Sequence, residues 1–170
     1  LARDCLRQGF HALWIQSPPQ PRTVIAQVQS FGNTVGGSYV WLCDTPPNAQ
    51  TQAFSLAMKK YYPEYNKGKG KYLQYGPGDC KGWASAMTFS KAIVNANVAP
   101  TAQVTRDDVI RGLSMFHNET LGGYLPRVSF SDGTKANPQD TCLYIYKWKG
   151  LNLIPVPEGK NPYTCMPGTV

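Results

Sequence analysis

Phe10-His-Ala-Leu-Trp-Ile15 and Ser38-Tyr-Val-Trp-Leu-Cys43 are short apolar runs, each closed by a polar, proline-dense stretch. Gln16-Ser-Pro-Pro-Gln-Pro21 follows the first and Asp44-Thr-Pro-Pro-Asn48 follows the second. Runs of this length bounded by turn residues suit buried parallel strands. Between them, Thr23 to Phe31 carries Val24, Ile25, Val28 and Phe31 at helical spacing, and Gly32-Asn33 is a helix stop. Gly36-Gly37 is read as the turn into the second strand. Strand, helix, strand in this order is a parallel βαβ unit, which makes the class α/β.

Working outward, Leu1 to Gln8 is an amphipathic helix, with Leu1, Cys5 and Leu6 on one side and Arg3, Asp4 and Arg7 towards solvent; Gly9 breaks it. Downstream, Ala49 to Tyr62 is a strong amphipathic helix closed by Pro63. Tyr72-Leu-Gln-Tyr75 is a short strand, and Gly76-Pro-Gly-Asp79 turns into a long alanine-rich helix over Cys80 to Val98, with Asp79 as its N-cap. Thr105-Arg-Asp-Asp108 has the hydroxyl-to-acid spacing of a capping box and opens the helix of Val109, Ile110, Leu113 and Phe116. From Leu121 the pattern becomes extended: Tyr124 to Phe130, the turn at Asp132-Gly133, then Cys142-Leu-Tyr-Ile-Tyr-Lys-Trp-Lys149 with alternating faces. The chain reads as one α/β domain over residues 1–170 with a strand-rich C-terminal end.

Composition narrows the function. At 42% hydrophobic and 16% charged residues the chain lies well away from the disordered class. No apolar run reaches the roughly 18 residues of a spanning helix. The net charge of +7 is spread out, and its one cluster, Lys67, Lys69 and Lys71, alternates with glycine as a mobile loop rather than a groove-filling helix, so no nucleic-acid partner is expected. The five cysteines contain no CxxC pair, which removes metal-knuckle and thioredoxin-type sites; neither a metal nor a cofactor is expected. In an oxidising compartment five cysteines make two disulfides and one spare thiol. Cys142 and Cys165 are the expected pair, because the first opens a strand and the second sits in a Pro/Gly-rich tail with little else to hold it.

Four stretches carry a family resemblance: Asp4-Cys-Leu-Arg-Gln-Gly-Phe10; Ala53-Phe-Ser-Leu-Ala-Met-Lys-Lys-Tyr-Tyr-Pro63; the alanine-rich helix after Tyr75; and Val109-Ile-Arg-Gly-Leu113 with Glu119-Thr-Leu-Gly-Gly123, Phe130-Ser-Asp-Gly133 and Cys142-Leu-Tyr-Ile145. In this order the chain resembles the C-terminal lobe of type I periplasmic solute-binding proteins, the leucine/isoleucine/valine-binding family. The resemblance implies a three-layer parallel-sheet lobe and a partner N-terminal lobe. It also implies a small-molecule solute held between lobes, delivery to the membrane permease of an ABC importer, and a place outside the cytoplasmic membrane, in a periplasm or tethered by a lipid to the cell envelope.

In such a fold, ligands bind in the crevice outside the carboxyl ends of the parallel strands. The candidate ligand contacts are therefore the exits: Gln16, Ser17 and Gln20 after the first strand, and Tyr75 with Asp79 at the mouth of the long helix. Each has a plainer role to set beside this one, since Asp79 serves as a cap, Gln16 and Ser17 satisfy loop backbone, and Tyr75 fits the core. Trp14 and Trp41 fall in buried strand patterns and are packing residues. Amino-acid-specific members of the family place an acid soon after the strand that corresponds to His11–Ile15, to meet the ligand's ammonium. Here the residues are Gln16, Ser17 and prolines, which suits an aromatic acid or an amide better.

Two other classes stand against this reading. A ligand-sensing receptor ectodomain would use the same lobe, and Asn118-Glu-Thr120 would then be a glycosylation acceptor. A cysteine or serine hydrolase would need a base beside a nucleophile. His11, in a buried strand pattern, and His117, at a helix end, have no nucleophile motif around them, so no catalytic residue is assigned.

Overall fold

A computed structural model describes residues 2–11, 13–16, 34–41, 43, 49–63, 77–130, 132–134, 142–149, 152–156 and 163–166. The elements are α1 (Ala2–Arg7), β1 (Trp14–Gln16), β2 (Thr34–Ser38), α2 (Ala49–Tyr61), α3 (Pro77–Asn95), α4 (Arg106–Ser114), β3 (Cys142–Lys149), β4 (Asn152–Val156) and β5 (Tyr163–Cys165). The helix expected over Thr23–Phe31 and the strand over Tyr72–Tyr75 lie outside the described residues.

The sheet runs β1-β2-β3-β4, with β5 also on β3. The pair β1–β2 is parallel, as a βαβ unit requires, but β3 is antiparallel to β2, β4 and β5. The expected parallel sheet is therefore corrected to a mixed, open one. The strand-rich C-terminal end joins this sheet, with β3 antiparallel beside β2 and β4 antiparallel beside β3. Helix and strand remain mixed as α/β implies.

The second strand also moves. It occupies Thr34–Ser38 and runs through Gly36-Gly37, which the sequence reads as a turn. Gly36 and Gly37 pair with Tyr146 and Ile145, whose side chains supply the bulk the glycines lack. Past Ser38 the chain leaves the sheet. The Ser38 hydroxyl accepts from the Val40 N–H (3.2 Å), and the Trp41 N–H donates to the Tyr124 carbonyl (2.8 Å). The Tyr39–Cys43 run is thus the exit of the strand rather than its body.

β1 is shorter than Phe10–Ile15, and its one residue of described burial, Ile15, is exposed. It lies at one end of the sheet path, and Ile15 is 83% exposed; Phe10, His11 and Leu13 are exposed and precede the strand. The burial expected of His11 is corrected accordingly.

The core forms on one face of β3. Tyr144, Tyr146 and Trp148 alternate along the strand, as period-2 geometry demands, and are buried with Leu153 of β4, Phe54 of α2, and Cys80 and Ala84 of α3. Trp41 packs edge-on against Tyr144 at 5.2 Å between centroids, the packing role expected of it. Tyr124 is fully buried, and its hydroxyl donates to the Cys80 carbonyl (3.1 Å), so the segment read as extended instead turns at Tyr124, which plugs the core. Three residues before it, Leu121, Gly122 and Gly123, take positive φ in succession and fold the chain sharply inward.

The helix ends follow local chemistry. Gly9 closes α1 in a Schellman arrangement: with φ of 76° it lets Phe10 donate to the Cys5 carbonyl (2.9 Å) and Gly9 to that of Leu6 (3.0 Å). Pro77 opens α3 at the position where a missing N–H costs nothing, which places Asp79 inside the first turn and corrects its assignment as the N-cap. Thr105 caps α4 in the expected reciprocal box with Asp108.

The box makes α4 sensitive to acid. Asp108 accepts from the Thr105 hydroxyl (2.6 Å) and the Thr105 N–H (3.0 Å) and also pairs with Arg111, which lowers its pKa from 3.8 to about 2. A carboxyl held low in the folded state stabilises it above the unfolded pKa, and that contribution is lost as pH falls through the folded value. Thr105→Ala should lower the thermal midpoint at neutral pH by about 3 °C. The gap to the parent chain should narrow between about pH 4 and pH 2 without closing, since the Asp108 N–H donates to the Thr105 hydroxyl at any pH, as read by thermal unfolding followed by circular dichroism.

Candidate functional site

The parallel strand β1 ends at Gln16, and β2 runs two residues past the pairing there to end at Ser38. Crevices in open α/β sheets form beyond such ends, where the chain leaves one layer for the next. Gln16 is the last residue of β1 and pairs with Gly36. Ser17, Gln20 and Tyr75 lie outside the described residues. Asp79 is exposed, two residues into α3.

The start of α3 is fixed to the exit of β2. A disulfide joins Cys43 to Cys80, with Cα atoms 5.7 Å apart, and the Cys43 N–H points at the Cys80 sulfur (3.0 Å). Tyr124 closes the cluster, its hydroxyl 3.1 Å from Cys43 Sγ. Burial raises the pKa of the Tyr124 hydroxyl well above the ordinary tyrosine range, and the same holds for Tyr144, so neither is a proton source near neutrality. The cluster is scaffolding. It brings Asp79, next to Cys80, to the same end of the sheet as the β2 exit.

A second disulfide joins Cys142 at the start of β3 to Cys165 in β5, which ties down the tail as the sequence suggests. The bond at Cys43–Cys80 is one the sequence does not single out, since neither cysteine stands in a segment that needs an anchor. Cys5, half-buried on α1, is the free cysteine. Four of the five thiols are thereby removed from nucleophilic chemistry. Among the described residues no group of three His, Cys, Asp or Glu is placed to hold a metal ion, and no helix is long and apolar enough to cross a membrane.

From the β2 exit a groove of about 470 Å³ runs along α3 towards α4. Tyr39 and Val40 form its end at the sheet; Lys81, Ala84, Ser85, Thr88 and Phe89 form the α3 wall. That spacing, steps of three and four, is one stripe of a helix. Val109 and Leu113 of α4 face it with the same step, and the segment from Leu125 to Phe130, with Arg127, closes the side. Lys81 Nζ lies over the Tyr39 ring at 4.8 Å from the centroid. None of Tyr39, Lys81 and Arg127 stands out in the sequence. A lysine in the first turns of a helix and an arginine after a proline read as solvated charge, and only the fold puts Lys81 over Tyr39.

A second cavity of about 540 Å³ opens on another side of α3, walled by Trp83, Met87, Val94 and Leu121. Its charged members, Lys91 and Glu119, face each other at 3.8 Å and neutralise one another. Among the described residues no carboxylate pairs with the charges of the groove at the β2 exit.

No family model and no curated protein matches the chain. Its structure is similar to a branched chain amino acid ABC transporter from Thermus thermophilus with bound valine, at a TM-score of 0.67 and 16% sequence identity, over 92% of this chain and 41% of that one. The chain thus spans about two fifths of the length of the protein it matches. At this identity the likeness shows a shared fold and nothing finer.

Proposed function

We propose that this chain is one ligand-binding lobe of an extracytoplasmic solute-binding protein, which captures a small molecule between two lobes and passes it to the membrane permease of an ABC importer. The observation that carries the reading is the likeness over 92% of the chain to a transporter structure that holds valine. The strand ends fit it, since β1 and β2 run parallel and the exit of β2 is bonded to the start of α3, the kind of strand end where crevices form in such sheets. Two disulfides suit a compartment outside the cytoplasm.

The mechanism follows from having half a site on each lobe. A ligand that touches both lobes favours the closed arrangement by the difference between its contacts in the closed and open states. A partner lobe supplies the other half, and this chain supplies the exits at Gln16, Ser17, Gln20, Tyr75 and Asp79. The solute differs from the valine of the structural neighbour: the end of β1 carries Gln16, Ser17 and prolines, with no acid there for an ammonium group, and an aromatic acid or an amide fits it. No catalytic step is assigned.

Thermal unfolding of the two-lobed protein against amino acids, aromatic acids, amides, polyamines and sugars tests this. At a hundred times its dissociation constant, the cognate solute should add about 2.7 kcal/mol. A panel in which no class shifts the midpoint removes the transport reading.

A further inference from the structure

The groove at the β2 exit carries information about its occupant that the strand ends do not. Its long walls are hydrocarbon, from Ala84 and Phe89 of α3, Val109 and Leu113 of α4, and Leu125. The two hydroxyls on the α3 wall are already used by their own helix. Ser85 Oγ donates to the Lys81 carbonyl (3.0 Å) and Thr88 Oγ1 to the Ala84 carbonyl (2.8 Å). They present little to a ligand.

What remains polar in the described walls, apart from the edge of Tyr39, is cationic. The ammonium of Lys81 rests over the Tyr39 ring and meets no carboxylate, and the exposed guanidinium of Arg127 has no ion-pair partner among the described residues. The acids that do pair nearby are committed elsewhere, Glu119 to Lys91 and Asp108 to Arg111. Two unneutralised cations beside one apolar trough raise the local potential, and low-dielectric walls strengthen it. An ammonium group would be repelled there, whereas a carboxylate would be met by charge-assisted donors.

We propose that this groove binds a small apolar monocarboxylate. Its hydrocarbon body lies along α3 and α4, its carboxylate is taken by Lys81 on the Tyr39 side, and Arg127 supplies the second cation. A space of about 470 Å³ is of the size that takes small organic ligands. The transport role of such a ligand rests on the solute-binding reading above, but the site itself stands on the groove. It narrows the solute from acid or amide to acid, and it assigns specificity to Lys81 and Arg127.

The test titrates 3-phenylpropanoate, 3-phenylpropanamide and phenylalanine into the 170-residue chain by calorimetry at low salt. The acid should bind about tenfold more tightly than the amide, as a charge-assisted bond exceeds a neutral one, with phenylalanine weakest. Lys81→Gln and Arg127→Gln should each weaken the acid by about fivefold or more and leave the amide unchanged, while Lys81→Arg keeps the preference. Equal binding of acid and amide overturns the proposal, as does acid binding that ignores both substitutions, or no saturable acid binding at all. If the acid fails here while another solute stabilises the two-lobed protein, the groove assignment falls and the receptor reading stands. If the acid binds the 170-residue chain as described and the two-lobed protein no more tightly, the groove assignment stands and the receptor reading falls.

Discussion

Gly112→Ala should destabilise the chain by about 3 kcal/mol, near the upper end of what overpacking costs in a closed core. Gly112 is buried on α4 where that helix crosses α3, and a methyl group there would be driven into the backbone carbonyl of Ala92, itself completely buried. Both partners are helix backbone, so neither moves aside as a side-chain tip does. The crossing is clasped by Asn95 Nδ2 donating to the Gly112 carbonyl (3.4 Å) and Arg111 donating to that of Ala96 (3.2 Å). Separating the helices stretches both bonds and opens the groove between them. The contrast is Gly82→Ala on α3, where an added methyl meets open space. That change should stabilise by about 0.5 to 1 kcal/mol, the ordinary gain of alanine over glycine within a helix. Urea unfolding of both variants reads the difference directly, and Gly112→Ala within about 0.5 kcal/mol of the parent would mean that the helices do not meet there.

Removing the Cys43–Cys80 bond should cost about 4 kcal/mol and removing Cys142–Cys165 about 3 kcal/mol, from the chain entropy of loops whose ends are 37 and 23 residues apart. The bonds differ in what they hold. Cys43→Ala with Cys80→Ala releases the start of α3 from the β2 exit and unpacks Tyr124, so acid binding should weaken along with stability. Cys142→Ala with Cys165→Ala frees β5, whose Tyr163 packs edge-on against Tyr144 of the core, but leaves the start of α3 anchored with Lys81 over Tyr39, so stability should fall with less effect on the ligand. Alkylation of the unreduced, denatured chain should modify one cysteine, Cys5, and all five after reduction. Three modified cysteines before reduction would break one of the assigned bonds.

Much of this architecture is legible in the residues, and what is not has physical causes. β3 is read from alternation alone because Tyr144, Tyr146 and Trp148 fill one face without interruption. The capping box at Thr105 and Asp108 is read because both partners lie within one turn of the chain. β2 is misplaced because Gly36-Gly37 signals a turn locally, whereas the bulk that makes it a strand comes from Tyr146 and Ile145 across the sheet. The apolar run of β1 predicts burial, but its place at the end of the sheet leaves Ile15 in the open. The parallel sheet is over-extended because a βαβ start says nothing about the direction from which later strands return. In the site, the position of Asp79 near a helix start is readable, although Pro77 takes the opening position. The cations of the groove are not, because a charge on a helix surface looks the same whether it faces bulk water or an apolar trough.

The central claim is that this lobe supplies half of a closing site. The most direct test measures one solute's dissociation constant twice, for the 170-residue chain and for the two-lobed protein, under the same conditions. Binding to both lobes at once predicts an affinity at least about a hundredfold tighter in the two-lobed protein, since closure adds the second set of contacts. Equal affinities would contradict the account: the lobe would then hold its whole ligand alone, with nothing to close upon.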